Sequence, residues 1–317
     1  MEVQNSARWM VILNPHAGSG KGQKDRNEIL KSLTAAGFEY DLAVSEYPRH
    51  LIALTTEAIG KGFRRLIVAG GDGSLNEVVN GIFYQKVCPP ENITVGMIPV
   101  GTGNDWIKTF GIPNHYTDAI RILRNGQTIR QDIGRIAYTV DKQLQYWYFA
   151  NMAGFGFDAL VAQKTNYLKN KGRSGLILYL QALVGSFWNY KIPRLRVTTE
   201  NRDIDELIFS VSIGIGKYNG GGMMQAPGAI PTNGLFEVTI IRKIGIWGIL
   251  RNLSRLYSGS YINDYRVSTF RANRVVITSF VDMAGEADGE SFGDNKFEID
   301  ILSQKLSVIF NPDKYLG

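Results

Sequence analysis

Short apolar runs separated by polar, helix-like stretches fill the chain as far as Asp132. Residues 10–13 (Met-Val-Ile-Leu), 66–69 (Leu-Ile-Val-Ala) and 93–99 (Ile-Thr-Val-Gly-Met-Ile-Pro) are rich in branched apolar side chains, the pattern of strands buried on both faces of a parallel sheet. The polar stretch from about Gln23 to Ala36 predicts a helix. Repeated strand–helix pairs of this kind predict a doubly wound, mostly parallel α/β domain whose functional loops sit at strand ends. Beyond Asp132 strand candidates dominate, at 147–152, 194–199, 208–214, 236–241, 274–278 and 296–301. They predict a β-rich, antiparallel second domain.

The loops that leave the first three strands are unusual. After 66–69 come Gly70, Gly71, Asp72, Gly73, Ser74, Leu75, Asn76 and Glu77. The glycines let backbone amides approach a ligand closely, and the helix that opens there favours an anion at its N-terminus. Ser74 is a candidate cap for that helix. A carboxylate such as Asp72 repels a phosphate unless a cation lies between them, so its presence points to magnesium. After 10–13 come Asn14, Pro15, His16, Ala17, Gly18, Ser19, Gly20, Lys21 and Gly22, another glycine-rich loop. It is not a Walker loop, because Pro15 stands where the first glycine is needed and Gly22 where Ser or Thr is needed. The third run ends at Gly101, Thr102, Gly103, Asn104 and Asp105.

Composition narrows the classes. At 317 residues the chain is long enough for two domains, and Cys88, its one cysteine, excludes an intrachain disulfide framework, which fits a reducing cytosol. No basic and apolar leader opens the sequence, so a cytoplasmic protein is expected, with a peripheral position at the inner membrane surface left open. The 35 Lys and Arg exceed the 29 Asp and Glu, giving +6. Lys164, Lys169, Lys171 and Arg173 precede the apolar stretch 176–188, and Lys191, Arg194 and Arg196 follow it. Leu176, Ile177, Leu180, Leu183, Val184 and Phe187 then read either as a segment touching a membrane interface or as an ordinary helix packed on the second domain. No RNP pattern, zinc-finger spacing or long basic helix supports a nucleic-acid partner. His16 has no His or Cys at metal-ligand spacing, so zinc is not expected, and no nucleophile elbow supports hydrolysis. An exposed strand edge in the β-rich part leaves a homodimer open.

The motifs resemble, in order, those of the diacylglycerol kinase catalytic domain family, which includes bacterial lipid kinases and is related to sphingosine kinases and more distantly to NAD kinases. Asn14-Pro15-x-x-Gly18 is similar to its first nucleotide loop, Gly70-Gly71-Asp72-Gly73-Ser74-x-Asn76-Glu77 to its signature loop, and Gly101-Thr102-Gly103-Asn104-Asp105 to its third. Gln131-Asp132-Ile133-Gly134, Gly154-Phe155-Gly156-Phe157-Asp158, Gly220-Gly221-Gly222 through Ala226-Pro227 and Ala229, and Asp288-Gly289-Glu290 come next in register.

This resemblance implies an ATP- and magnesium-dependent kinase acting on a lipid hydroxyl, diacylglycerol or a related lipid, in phospholipid metabolism. It implies an α/β nucleotide-binding kinase domain at 1–132 joined by 304–317, and a β-sandwich lipid-substrate domain at 133–303. Asn14, Pro15, His16, Ala17, Gly18, Ser45, Gly71, Asp72, Gly73, Ser74, Leu75, Asn76, Glu77 and Thr102 would bind ATP. Asp72, Asp105 and Asp132 would hold the catalytic magnesium directly or through water, with Asp72 and Asp132 counted as catalytic, and Glu290 would be the general base. A structural magnesium would take Ile230, Asn233 and Leu235, although Asn233 stands where the family usually has Asp. The alternatives are an NAD kinase-like enzyme and a non-catalytic binder of nucleotide or lipid.

Overall fold

The computed structural model describes residues 8–169, 185–187 and 190–315. The apolar stretch 176–188 falls, apart from 185–187, outside the described residues. The chain divides into two compact units, one of residues up to Asp132 together with those from Gln304 onward, the other Ile133–Ser303.

In the first unit β1 (Trp9–Leu13), β2 (Tyr40–Val44), β3 (Arg65–Gly70) and β4 (Thr94–Pro99) run parallel in the order β2-β1-β3-β4. The end of β13 (Glu290–Ile309) adds a further parallel strand, Ser307 and Val308 pairing with Thr94 and Val95 of β4. Val11, Leu13, Ile67, Ala69 and Ile98 share a core with Ile29, Leu33, Ile120 and Leu123 of the helices. The apolar runs are therefore continuous because both sheet faces are covered. The chain goes from β1 outward to β2 and then returns to the other side of β1 for β3, so the topological switch point lies between β1 and β3. In open parallel sheets ligands bind beyond the carboxyl ends of the strands at such a point.

The helices are α1 (Ala17–Lys24), α2 (Arg26–Ala35), α3 (His50–Gly60), α4 (Asp72–Tyr84), α5 (Asp105–Thr109) and α6 (Tyr116–Asn125). The helix expected over 23–36 is thus two helices meeting at Asp25. The Asp25 carboxylate accepts the Tyr116 hydroxyl at 2.8 Å, and this tie to α6 fixes the corner where the chain turns.

The second unit is antiparallel. Strands β7 (Met152–Gly156), β9 (Asp203–Gly214), β10 (Phe236–Arg242), β11 (Val267–Ala272), β12 (Arg274–Ala287) and β13 lie in the order β11-β10-β9-β7-β12-β13. The pairing branches at β8 (Arg194–Thr198), which bonds both β12 and β9, and at β5 (Thr128–Val140), which bonds β13 and β6 (Gln143–Phe149). The strand expected at 147–152 straddles a break between β6 and β7. Here the Asp288 carboxylate takes the amides of Ala150, Asn151 and Met152 at 2.7, 3.2 and 2.8 Å, amides that a continuous strand would give to a neighbour. Helices α7 (Phe157–Lys169) and α8 (Ile246–Ser258) complete the unit, Phe157, Phe209, Ile244 and Ile249 forming part of its core.

Candidate functional site

In the first unit the three glycine-rich loops leave the carboxyl ends of β1, β3 and β4 and meet. Asn14 bridges the switch point: its Nδ2 donates to Ser74 Oγ at 2.9 Å, while its Oδ1 accepts the His16 amide at 2.9 Å. Ser74 therefore sits inside the first turn of α4 as an acceptor for Asn14, and the cap position falls on Gly71. Gly18, Ser19 and Gly20 are all left-handed, at φ 61°, 59° and 89°. A side chain on Gly18 would put its Cβ 2.3 Å from the Val100 carbonyl oxygen, so the first loop presses directly on the third. A Cβ on Gly101 would lie 2.6 Å from Gly71 Cα, which fixes the second loop against the third in the same way. Gly73 faces open space at the amino end of α4, where the helix has unsatisfied amides to offer.

Asp72 occupies the first turn of α4, and its two oxygens accept the amides of Asp105 and Trp106, each at 3.0 Å. Burial pushes its carboxyl above the usual range, the neighbouring Asp105 charge adds to this, and the two amides oppose it. Asp105 Oδ1 pairs with Lys108 Nζ at 2.6 Å. A Cβ on Gly103 would lie 3.3 Å from Asp72 Oδ2 and 3.5 Å from Asp105 Oδ2, so Gly103 clears the space before both carboxylates. The buried Oδ1 of the adjacent Asn104 has no hydrogen-bond partner among the described residues. Two carboxylates and an orphan amide oxygen on neighbouring positions form an oxygen donor set that fits magnesium, an ion that takes one or two carboxylates and draws the rest from water and substrate phosphates.

The remaining expected nucleotide and metal residues have definite places. Asp132 is fully buried and accepts the Gln304 amide at 2.7 Å. Among the described residues no group of three His, Cys, Asp or Glu side chains gathers at one point, so Asp132 is not drawn together with Asp72 and Asp105. Ser45 is buried after β2, its amide bonded to the Leu13 carbonyl at 3.0 Å. Glu77 Oε2 accepts the Leu51 amide at 3.1 Å and so caps α3. Asn76 is buried and accepts from Asn80 Nδ2 at its side chain (3.2 Å) and its backbone oxygen (2.9 Å). Pro15 and Ala17 are half-buried, Leu75 is buried, and His16 and Thr102 are exposed. The turn at Ile230, Asn233 and Leu235 is spent on itself: Asn233 Oδ1 accepts the Leu235 amide at 3.0 Å and the Ile230 carbonyl accepts the Asn233 amide at 3.4 Å. Lacking a carboxylate, that turn does not fit a second magnesium.

The second unit carries Glu290 at the start of β13, paired with Ala287 of β12 across a two-residue turn. Both turn residues have positive φ, Asp288 at 49° and Gly289 at 92°, as a type I′ hairpin requires. Asp288 is therefore a structural residue, its carboxylate holding the β6–β7 break.

Two further acids were not singled out by sequence reasoning. Glu286 is buried, and its carboxyl is pushed up to about 8, chiefly by burial and then by the charges of Asp288 and Asp158, against the opposing Gly289 amide. Asp158, also pushed up by burial, is held by the hydroxyls of Ser210 and Ser212. A Cβ on Gly154 would lie 3.1 Å from Glu286 Oε1 and 3.2 Å from Asp158 Cβ, so that glycine makes room for both acids. Asp158 had a signal in the sequence, since it closes the Gly154-x-Gly156-Phe157 motif, whereas nothing local marks Glu286. Beside Asp158 lies a cavity of about 60 Å³, lined mainly by Phe157, Phe209, Ile244, Ile249 and Leu256.

Comparison with known proteins gives a consistent result. Residues 8–136 match the diacylglycerol kinase catalytic domain, and residues 151–310 match the YegS C-terminal NAD kinase beta sandwich-like domain. A diacylglycerol kinase of Bacillus subtilis (strain 168) is 29% identical over 315 residues, covering 97% of both chains. A diacylglycerol kinase of Staphylococcus saprophyticus is 26% identical over 317 residues, covering 96% of both. Among solved structures, a diacylglycerol kinase of Bacillus anthracis superposes with a TM-score of 0.70 at 19% identity, over 97% of this chain and 98% of that one. Yeast NADH kinase complexed with NADH superposes with a TM-score of 0.56 at 11% identity, over 96% of this chain and 83% of that one.

Proposed function

The chain belongs to the diacylglycerol kinase catalytic domain family, and on that footing we propose that it transfers the γ-phosphoryl group of ATP to a hydroxyl of diacylglycerol or a related lipid. The product would be a lipid phosphate monoester for phospholipid metabolism. One observation carries this reading: three glycine loops in backbone contact at the switch point of a parallel sheet, with the Asp72–Asp105 pair on two of them.

Phosphoryl transfer asks a protein mainly for position and for compensating charge. The amino end of α4 and the left-handed turn at Gly18 and Ser19 would offer amides to phosphate oxygens, and Asn14 locks the first loop to α4 through Ser74. Asp72 and Asp105 would hold magnesium, with Asp132 contributing at most through water. Bound there, that ion would offset phosphate charge. Glu290 would be the acceptor for the lipid hydroxyl's proton, a role for which Glu286, its carboxyl pushed up to about 8 by burial, is poorly suited at neutral pH. Its position one residue beyond a rigid I′ turn suits a group that must be aimed.

The apolar cavity beside Asp158 supports a lipid over a soluble acceptor. At about 60 Å³ it is smaller than an acyl chain needs, so admission requires its walls to part. The NAD kinase-like reading draws on the fold shared with yeast NADH kinase, and a silent binder would have no use for a base at Glu290. The discriminating experiment incubates the protein with magnesium and γ-labelled ATP against mixed-micelle diacylglycerol, sphingosine, phosphatidylglycerol and soluble NAD. Label in a lipid is the expected result. Label in NAD, or none despite ATP binding, would overturn it.

A further inference from the structure

The second unit has an aromatic and basic surface that the transfer chemistry does not use. Trp247, in the first turn of α8, is 82% exposed, and Tyr265 is 85% exposed. The two sites meet through Arg266: its guanidinium lies 4.9 Å from the centre of the Tyr265 ring, and a Cβ on Gly248, next to Trp247, would lie 2.9 Å from one of its nitrogens. Asp264 fastens the turn to the helix, accepting from Arg266 Nη2 at 2.6 Å and from Asn252 Nδ2 at 3.0 Å.

Trp247, Arg251, Arg255 and Ser258 recur at helical spacing and are all exposed, so they form one outward stripe. Ile249, Asn252, Leu253 and Leu256 face inward, to the core and to the apolar cavity. From Val238 to Asn263 the sequence holds Arg242, Lys243, Arg251 and Arg255 and no acidic residue. The acids packed nearby are committed elsewhere: Glu206 to Arg242 at 2.9 Å, Glu237 to Arg271 at 3.7 Å, and Asp264 as described. Among the described residues Lys243, Arg251 and Arg255 have no ion-pair partner.

We propose that this outer face of α8, with Trp247 and Tyr265 at one end and Lys243, Arg251 and Arg255 along it, docks the protein on an anionic lipid bilayer. Amphipathic Trp and Tyr rings prefer the headgroup level, and basic side chains are drawn to anionic headgroups. A second copy of the chain is a poor occupant, because a two-fold interface would set the same cations against one another. The apolar side of α8 is already packed inward, so contact is shallow, through ring tips and cations. The helix thereby forms the wall between the membrane surface and the apolar cavity. The inference rests on a lipid acceptor for its purpose, yet docking is measurable without turnover.

The test is co-sedimentation of the full chain with phosphatidylcholine vesicles, with and without phosphatidylglycerol. Binding is expected only where phosphatidylglycerol is present, and it should fall as salt screens the surface. The pair Arg251→Gln and Arg255→Gln should weaken it roughly 30-fold, about fivefold for each cation lost near an anionic surface. Trp247→Ala with Tyr265→Ala should weaken it while leaving the salt dependence in place. Wild-type protein that ignores anionic vesicles overturns the proposal, as does binding that survives both pairs or a stronger grip on single-stranded oligonucleotide. The salt dependence of the wild type needs no variant and guards against misfolding. Phosphorylation of micelle-dispersed diacylglycerol separates the two failures: label in the lipid with no vesicle binding sinks the docking face alone, whereas vesicle binding with no label sinks the kinase reading alone.

Discussion

Asp72 Oδ1 accepts the backbone N–H of Trp106 at 3.0 Å. The signature aspartate of the second loop is thus the cap of the helix that leaves the third. Asp72→Ala would strand the amides of Asp105 and Trp106 and remove a carboxylate from the cation site. A loss of about 2–4 kcal/mol in stability and on the order of 100-fold in turnover is expected. Asp72→Asn, which keeps one acceptor oxygen, should recover much of the stability and little of the turnover. Thermal unfolding read alongside the labelled-ATP assay checks both parts.

Gly18→Ala should abolish tight ATP binding. Its φ of 61° is strained for alanine, and the new methyl would sit 2.3 Å from the Val100 carbonyl oxygen, forcing the first and third loops apart. Calorimetric titration with ATP is the measurement. Gly20→Ala, a neighbour with open space around its Cβ position, should bear the milder defect of backbone strain alone.

Asp288→Ala removes the acceptor for three buried amides and puts alanine at a φ of 49°. Destabilisation of about 3–5 kcal/mol is expected, with Asp288→Asn milder because Asn tolerates the left-handed region. A denaturant midpoint unchanged in Asp288→Ala would mean that the turn does not hold the β6–β7 break.

The raised Glu286 carboxyl makes stability pH-dependent in a definite direction. Folded at about 8 and unfolded near 4.5, the group keeps its proton more firmly in the native state. Its contribution is complete below pH 4.5 and is lost as pH rises through 8, amounting at most to about 5 kcal/mol. Glu286→Gln removes this titration, so the variant should gain on the wild type steadily between those pH values and then run level. Parallel unfolding curves across that range would contradict the assignment.

Glu290→Gln should leave ATP binding and thermal stability nearly intact while turnover falls by on the order of 100-fold or more. Equal turnover by the variant would take Glu290 out of the mechanism and direct attention to the acids at Asp158 and Glu286.

The α/β character of the first unit was legible because residues 10–13, 66–69 and 93–99 are covered on both faces and so carry unbroken apolar runs. The β-rich second unit was legible from its short runs, but β5 and β11 escaped notice. Their half-buried, mixed residues, such as Val267-Ser268-Thr269-Phe270-Arg271, show no alternation. The break between β6 and β7 was invisible locally, since its cause, Asp288, lies 138 residues from Ala150. The glycine-rich loops could be picked out by residue type alone, and the structure brings the three together at the ends of β1, β3 and β4. Which carboxylates share a point is a matter of long-range contact, and so the spacing of Asp72, Asp105 and Asp132 did not reveal that only the first two adjoin. Glu286 was hidden for the same reason: burial, not its neighbours in sequence, gives it chemistry.

The first unit is not contiguous along the chain. Strand β4 pairs with β3 on one side and receives its other partner only from Ser307 and Val308, and Asp132 accepts its amide from Gln304. During synthesis, therefore, the sheet of the first unit emerges with its β4 edge open and stays so while the whole of Ile133–Ser303 is made, on the order of 10 s. An open parallel edge is a template for pairing with another nascent chain. A ribosome pausing within the second unit would then endanger the first, and the quality of the kinase half would be set by the speed at which the other half is translated.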